Sequence, residues 1–139
     1  MKVRDWMSPD PVSVTPDTTV AHARRMMANE AIRHLPVVND GRLIGIISDR
    51  DVMINEAALR AAVRKHDVAS VIDDERPVEA VMSPAPVVIG TDADVADAAK
   101  LLVSHRINAL PVINPAGRLV GILTSVDCLL ATLGDAVDV

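Results

Sequence analysis

The sequence is poor in aromatic residues, because it has one tryptophan, Trp6, and neither phenylalanine nor tyrosine. Sites for single-stranded nucleic acid are commonly built from stacked aromatic side chains, so this class of site is disfavoured. Basic residues are also in the minority, since 14 Lys and Arg stand against 19 Asp and Glu, and the formal net charge is −5. A chain of this charge lacks the electrostatic footprint of a nucleic-acid-binding protein.

Cysteine is nearly absent, with Cys128 as its single representative. One cysteine excludes an intrachain disulfide and any zinc site that uses several cysteines. His22, His66 and His105 show no metal-ligand spacing with one another or with Cys128, so no metal site is expected. No apolar run approaches the roughly 18 residues of a membrane span, and the N-terminus does not resemble a signal peptide. We therefore expect a reduced, cytoplasmic protein.

An internal repeat organises the sequence. The tripeptides Met-Ser-Pro, Leu-Pro-Val and Gly-Arg-Leu each occur twice, at an offset of 75 or 76 residues. We accordingly divide the chain into a first repeat at residues 1–58, a helical insert or linker at 59–77 and a second repeat at 78–139. Each repeat is marginal in size for independent folding, so the two are expected to share a core.

Each repeat predicts the element order β-α-β-β-α. A short strand at residues 12–14 or 87–89 precedes a helix with an apolar stripe, and an Asn-Asp-Gly turn at residues 39–41 predicts a hairpin. A last helix is expected to begin near Ser48 or Thr124. The predicted fold class is α/β (α+β), with two tandem β-α-β-β-α repeats packed by their sheets around a pseudo-two-fold axis.

The candidate chemistry lies where the hairpin ends and the last helix begins. A Gly-h-h-Ser/Thr-x-x-Asp pattern, in which h is apolar, ends in Ser48 and Asp51 in the first repeat and in Thr124 and Asp127 in the second. A helix N-terminus favours phosphate, and a carboxylate one turn on can accept hydrogen bonds from two ribose hydroxyls. The same spacing is typical of a capping box, in which both side chains merely satisfy the helix start.

The duplicated pattern Leu-Pro-Val…Gly-x-Leu-x-Gly-Ile-x-Ser/Thr-x-x-Asp resembles the cystathionine β-synthase (CBS) domain, whose tandem pairs are called Bateman modules. The resemblance covers nearly the whole chain. It implies clefts between the paired sheets that bind AMP, ADP or ATP, with S-adenosylmethionine or NAD as further candidates and no required cofactor. It also implies that Asp51 and Asp127 bind ribose and that Ser48 and Thr124 lie near phosphate.

The resemblance further implies that the base lies against the first strand and the loop after it in each repeat. That position corresponds to residues 14–16 and 89–91, and it makes Thr15 and Thr91 candidate ligand-binding residues. Because the chain has almost no aromatic residues, the base would be held by aliphatic contacts and backbone hydrogen bonds.

The two repeats differ in charge around the Ser/Thr-x-x-Asp motif. The cationic positions of the first repeat and their counterparts in the second are Arg33 with Asn108, His34 with Ala109, and Arg50 with Val126. We therefore expect the site of Asp51 to favour phosphate, with Arg33, His34 and Arg50 as candidate phosphate contacts. The site of Asp127 would take an uncharged or cationic adenosine compound, or stay empty. Arg50 could instead form a surface ion pair, and His34 could simply end a strand.

Two functions are compatible with these patterns. The first is a non-catalytic regulatory sensor of adenosine nucleotides that signals through an unidentified partner protein. The alternative is a structural or protein-interaction module without a physiological nucleotide. No sequence pattern supports a catalytic triad or a phosphate-binding glycine loop, so an enzyme is not expected. The resemblance implies a homodimer, and neither a membrane nor a nucleic acid is expected as partner.

Overall fold

The computed structural model describes residues 1–53 and 74–137. In chain order the elements are α1 (Val3–Trp6), β1 (Ser8–Pro9), α2 (Val20–Glu30), β2 (His34–Asn39), β3 (Arg42–Ser48), α3 (49–53), β4 (Ser83–Pro84), β5 (Ile89–Gly90), α4 (Val95–His105), β6 (Ala109–Ile113), β7 (Leu119–Thr124) and α5 (Ser125–Val137). A single 3-10 turn at Val78–Ala80 precedes β4. The insert predicted at residues 59–77 lies outside the described residues, apart from its last four.

The chain forms two compact units whose limits differ from those of the sequence repeats. The first unit is Val12–Ala85, and the second unit combines Met1–Pro11 with Pro86–Val139. The sheet of the first unit has the order β2-β3-β4, and that of the second unit has the order β1-β7-β6-β5. The leading segment of each repeat is the stretch that contains β1 in the first repeat and β4 in the second. Each leading segment therefore completes the sheet that contains the hairpin of the other repeat.

The predicted hairpins are confirmed in both units. In the first unit, β2 and β3 pair antiparallel, and Asp40 and Gly41 between them have φ values of 50° and 79°. Two consecutive positive φ values match the right-handed twist of a tight hairpin, which explains the Asn-Asp-Gly signal. In the second unit, β6 and β7 pair in the same way around Gly117, whose φ is 81°.

The apolar stripes of the predicted helices form the cores. The buried residues of α2 are Val20, Ala21, Ala23 and Met27, and those of α4 are Val95, Ala98 and Leu102. Thr19 caps α2, because its hydroxyl oxygen accepts a 3.1 Å hydrogen bond from the backbone N–H of His22. The strands predicted at residues 12–14 and 87–89 are shorter than expected, since Val14 forms an isolated bridge with Val37 and β5 spans Ile89–Gly90.

The Met-Ser-Pro segments explain the glycine at the centre of each hairpin's second strand. In the first unit, Pro84 pairs with Gly45 and the side chain of Met82 covers this glycine. In the second unit, Met7 covers Gly121 in the same way. A methyl group at Gly45 would collide with the sulfur of Met82 and lie 3.1 Å from the carbonyl oxygen of Ser83. The glycine therefore lets the leading segment approach the strand.

We expect Gly45→Ala to lower the free energy of unfolding by about 1–2 kcal/mol, because the new methyl group overpacks a filled contact. Gly90→Ala is the matched control, since no atom lies within 4 Å of a Cβ built at this strand glycine. Urea unfolding of the two variants and the wild type measures both effects. Equal stability of the two variants would contradict this account of the Met82 contact.

Candidate functional site

The Ser-x-x-Asp motif of the first unit forms a reciprocal capping box at the start of α3. The backbone N–H of Asp51 donates a 3.0 Å hydrogen bond to the hydroxyl oxygen of Ser48. In return, the backbone N–H of Ser48 donates a 3.0 Å hydrogen bond to Oδ2 of Asp51. A carboxylate has about four acceptor positions, and this capping bond uses one of them.

The second unit repeats this arrangement at the start of α5. The backbone N–H of Thr124 donates to Oδ2 of Asp127 at 2.8 Å, and the N–H of Asp127 donates to Oγ1 of Thr124 at 3.2 Å. The two helix starts therefore have the same hydrogen-bond geometry, which makes each a structural reference for the other.

A backbone carbonyl satisfies a further N–H group at each helix start. The N–H of Asp49 donates to the carbonyl oxygen of Arg33 at 2.9 Å, and the N–H of Ser125 donates to that of Asn108 at 2.9 Å. Together with the two capping bonds, this bond gives acceptors to three backbone N–H groups in the first turn of each helix. A phosphate at this position would therefore depend more on side-chain charge than on unpaired backbone N–H groups.

The charged residues predicted around Asp51 lie together in the first unit. His34 pairs with Ser48 across the β2–β3 ladder and is half-buried, Arg33 directly precedes it, and Arg50 is exposed in the first turn of α3. In the second unit, Ala109 occupies the place of His34 and pairs with Thr124. The cationic residues of the first unit and their neutral counterparts in the second unit therefore lie at equivalent helix starts.

The electrostatic environment of His34 holds its pKa below the ordinary value of 6.5. Burial is the main cause, and the positive charge of Arg33 acts in the same direction. The carboxylates of Asp49 and Asp51 raise the pKa, but they do not compensate for the burial. At neutral pH His34 is therefore mainly uncharged, and the constant positive charge near this helix start comes from arginine.

Thr15 and Thr91 lie at the other end of the hairpins. Because Val14 pairs in parallel with Val37, the chain after Val14 runs toward the hairpin turn and away from Ser48. Thr15 lines an open cavity of about 380 Å³ near that turn, and its hydroxyl donates a 2.5 Å hydrogen bond to Asp17. Thr91 lines the corresponding cavity of about 420 Å³ in the second unit. Within each unit, these threonines and the Ser/Thr-x-x-Asp motif are separate groups.

The leading segments are neighbours of the motif that we did not include among the site residues. In the first unit, Ser83 pairs with Ile46, two residues before Ser48, and in the second unit Ser8 pairs with Ile122. The sequence signal was the duplicated Met-Ser-Pro tripeptide, but nothing in it indicates which strand the segment joins.

Among residues 1–53 and 74–137, no three His, Cys, Asp or Glu side chains are grouped so that they could hold a metal ion. Nor does any helix in this part of the chain have the length and apolar character needed to cross a membrane.

A duplicated unit in which a β-hairpin leads into a helix capped by Ser/Thr-x-x-Asp defines a tandem α+β module. The CBS domain family model matches residues 3–57 and 78–134, and the chain belongs to this family. A CBS domain-containing protein of Dictyostelium discoideum is 35% identical over 91% of this chain and 88% of its own length. The inosine-5′-monophosphate dehydrogenase of Korarchaeum cryptofilum is 29% identical over 85% of this chain, which spans 21% of that enzyme's length.

Solved structures of CBS-pair proteins have the same fold. CBSX2 of Arabidopsis thaliana, solved in complex with AMP, is 29% identical with a TM-score of 0.78, over 97% of this chain and 98% of that chain. The CBS domain pair of protein MJ0100, solved in complex with 5′-methylthioadenosine and S-adenosyl-L-methionine, is 25% identical with a TM-score of 0.78 over the same shares. The similarity to CBSX2 and MJ0100 extends over nearly their entire solved chains.

Proposed function

We propose that the protein is a non-catalytic regulatory module that binds an adenosine nucleotide and signals through a partner protein. The observation that carries this proposal is the Ser/Thr-x-x-Asp motif, which occurs at the equivalent helix start of both units. The AMP complex of CBSX2 and the S-adenosylmethionine complex of MJ0100 support the adenosine class of ligand. Regulation requires that the ligand bind two states of the protein with different affinities.

The roles of the residues follow from their chemistry. Asp51 and Asp127 would accept hydrogen bonds from the ribose hydroxyls. Ser48 and Thr124 would lie near phosphate, and their backbone N–H groups hold each carboxylate in place through the capping bonds. In the first unit, Arg33 and Arg50 would attract phosphate. Because the equivalent positions of the second repeat are neutral, its site would take an uncharged or cationic adenosine compound, or stay empty. Thr15 and Thr91 stay candidates for base contacts, although they lie apart from the motif of their own unit.

A thermal-unfolding panel with AMP, ADP, ATP, S-adenosylmethionine and NAD tests the proposal. A ligand at 100 times its dissociation constant adds about 2.7 kcal/mol, which raises the melting temperature by about 5–10 °C for a chain of this size. Guanosine nucleotides at the same concentrations are the control for non-specific phosphate effects. If none of the adenosine compounds raises the melting temperature, the sensor proposal fails.

As a candidate phosphate contact, His34 would make AMP binding depend on pH. Protonation of His34 adds a positive charge beside the phosphate, so bound AMP should raise the lowered pKa of this side chain. As the pH falls from 8 to 6, the affinity of the wild type should rise by about three- to tenfold relative to that of His34→Ala. Calorimetric titrations of both proteins measure this ratio.

His34→Ala is the matched control, because alanine is the residue at the equivalent position of the second repeat, Ala109. The titration of the AMP phosphate affects binding to both proteins alike, so only the ratio of their affinities reports on His34. Parallel pH profiles would show that His34 does not contact the phosphate.

A structural or interaction module is the second candidate function. The observation that favours it is that the capping boxes give both side chains of each motif a hydrogen-bond partner within the helix start, without a ligand. In that case the two motifs only fix the helix starts, and the thermal panel shows no effect. The protein would still be expected to form a homodimer and to bind other proteins.

A further inference from the structure

An open groove lies along one edge of the first unit's sheet. The extended segment 13–15 lines one side of it, and the side of α2 that carries His22 and Met26 lines another. The hairpin turn at Asp40 and Gly41 completes the lining. The cavity has a volume of about 380 Å³, which is within the range of about 300–1,000 Å³ typical of ligand pockets.

Segment 13–15 is an edge of the sheet with unpaired backbone groups. The N–H of Val14 donates a 3.0 Å hydrogen bond to the carbonyl oxygen of Pro36, and the carbonyl oxygen of Val14 accepts one of 2.8 Å from the N–H of Val38. Because backbone groups alternate in direction along a strand, those of Ser13 point away from β2. Ser13 is exposed, and in the described part of the chain its N–H and C=O have no protein partner. Such an edge can pair with an extended peptide.

The charge along this groove favours a cationic ligand. The hydroxyl of Thr15 donates a 2.5 Å hydrogen bond to the carboxylate of Asp17, and this bond lowers the pKa of Asp17. Asp17 is therefore ionised at neutral pH, and Asp40 adds a second exposed carboxylate. Among residues 1–53 and 74–137, no lysine or arginine lines the groove or pairs with either carboxylate.

The second unit already binds its equivalent carboxylate with a cation. Asp92 occupies the position of Asp17 in the second repeat and lines the second cavity. The guanidinium of Arg4 forms an ion pair with Asp92. The backbone N–H of Arg4 also donates a 3.1 Å hydrogen bond to the carbonyl oxygen of Thr91. The second unit therefore supplies the cation for this carboxylate from its own chain.

The first unit has a glutamate in the place of this arginine. The backbone N–H of Glu79 donates a 3.2 Å hydrogen bond to the carbonyl oxygen of Pro16, which is the counterpart of the bond from Arg4. The exposed side chain of Glu79 thus adds a negative charge near Asp17 in place of a positive one. A cation for Asp17 would therefore come from another molecule.

We propose that this groove binds an extended peptide segment of a partner protein through an arginine or lysine side chain. The peptide would add to the sheet edge by hydrogen bonds with the backbone of Ser13, and its cation would lie against Asp17 and Asp40. The proposal takes its partner protein from the proposed function. Nucleotide binding involves Ser48 at the opposite end of the hairpin, so the thermal panel tests it separately.

A peptide titration followed by NMR tests the proposal. The probe is the heptapeptide Thr-Val-Thr-Arg-Thr-Val-Thr, whose arginine shares one face of an extended strand with both valines, and the control peptide has glutamate in place of arginine. The arginine peptide should saturably shift the amide signals of the groove residues and bind at least about fivefold more tightly than the control. Equal binding of the two peptides, no saturable shift, or shifts confined to other residues would overturn the proposal.

Two substitutions of Glu79 test the role of Asp17. Glu79→Arg gives the first unit the arginine of the second, so it should occupy Asp17 and weaken binding of the arginine peptide by about fivefold or more. Glu79→Gln is the matched control, because it removes the same negative charge without supplying a cation, and it should change the affinity by less than about twofold. Thermal unfolding checks that both variants are folded. Equal affinities of the two variants for the peptide would show that the cation does not bind at Asp17.

Ser13→Pro tests the pairing with the sheet edge. Proline removes a backbone N–H that the fold does not use, and the affinity for the arginine peptide should fall by about threefold or more. Thermal unfolding of the variant checks that the first unit is intact. An unchanged affinity in the folded variant would refute the addition of the peptide to the sheet.

Discussion

Asp51→Ala is expected to weaken AMP binding by about 10- to 100-fold, the largest effect of any single substitution considered for the ligand site. The substitution removes a carboxylate that would accept hydrogen bonds from the ribose hydroxyls, and hydrogen bonds to a charged group contribute about 1.5–3 kcal/mol each. Isothermal titration calorimetry with AMP measures the change. The substitution also removes the capping bond to the backbone N–H of Ser48, so a loss of stability of about 1 kcal/mol accompanies it.

Asp127→Ala separates these two effects, because it removes the same capping bond at the start of α5. Both variants should therefore lose a similar amount of stability without ligand. AMP affinity should fall in Asp51→Ala and change little in Asp127→Ala, since the positions equivalent to Arg33, His34 and Arg50 are neutral in the second repeat. Equal losses of AMP binding in the two variants would refute the charge asymmetry, while leaving nucleotide binding itself established.

Arg76→Ala is expected to lower the free energy of unfolding by about 2–3 kcal/mol at neutral pH. Asp74 is only 4% exposed, and its carboxylate accepts hydrogen bonds from Nε and Nη2 of Arg76, the shorter one at 2.6 Å. The pair holds a segment whose carbonyl groups accept bonds from the first N–H groups of α2, Val20 and Ala21. Removing the guanidinium leaves a buried carboxylate without this partner and loosens the cap.

The pH dependence identifies the ion pair as the cause. The hydrogen bonds from Arg76 lower the pKa of Asp74 in the folded protein, so the pair stabilises the protein fully above the unfolded pKa of about 3.9. This contribution is lost as the pH falls through the lowered folded pKa. Urea unfolding should therefore show a smaller difference between the wild type and Arg76→Ala at pH 3 than at pH 7.

Glu75→Ala is the control for this prediction, because Glu75 is an exposed neighbour in the same segment. Its stability should stay within about 0.5 kcal/mol of the wild type. If Arg76→Ala were destabilised equally at both pH values, lost packing of the arginine stem would explain the effect better than the ion pair.

The hairpins and helices were predictable because their signals are local. Asp40 and Gly41 specify the turn by their own backbone preferences, and Thr19 caps α2 through a residue three positions away. The pairing of Ser8 with Ile122 is different, since more than 100 residues separate the two and a two-residue strand has no periodicity of its own. A local pattern therefore cannot indicate which sheet such a segment joins.

The candidate site was predictable as a motif but not as a geometry. Ser48 and Asp51 meet as expected from a spacing of one helical turn, yet that spacing describes a capping box as well as a ribose site. The position of Thr15 depends on the parallel direction of the bridge between Val14 and Val37, which the residues themselves do not encode. The charge asymmetry is a property of composition, so the sequence alone was sufficient to predict it.

The exchange of leading segments between the repeats has a consequence for how such a chain could arise and be divided. Residues 1–11 complete the sheet of the second unit, and residues 83–84 complete that of the first. A chain with one repeat that kept this arrangement would fill its sheet edge with the segment of another molecule, as in a domain-swapped dimer. Duplication within one chain makes that exchange intramolecular, so cutting the chain after residue 77 would give two fragments that must recombine to restore both sheets.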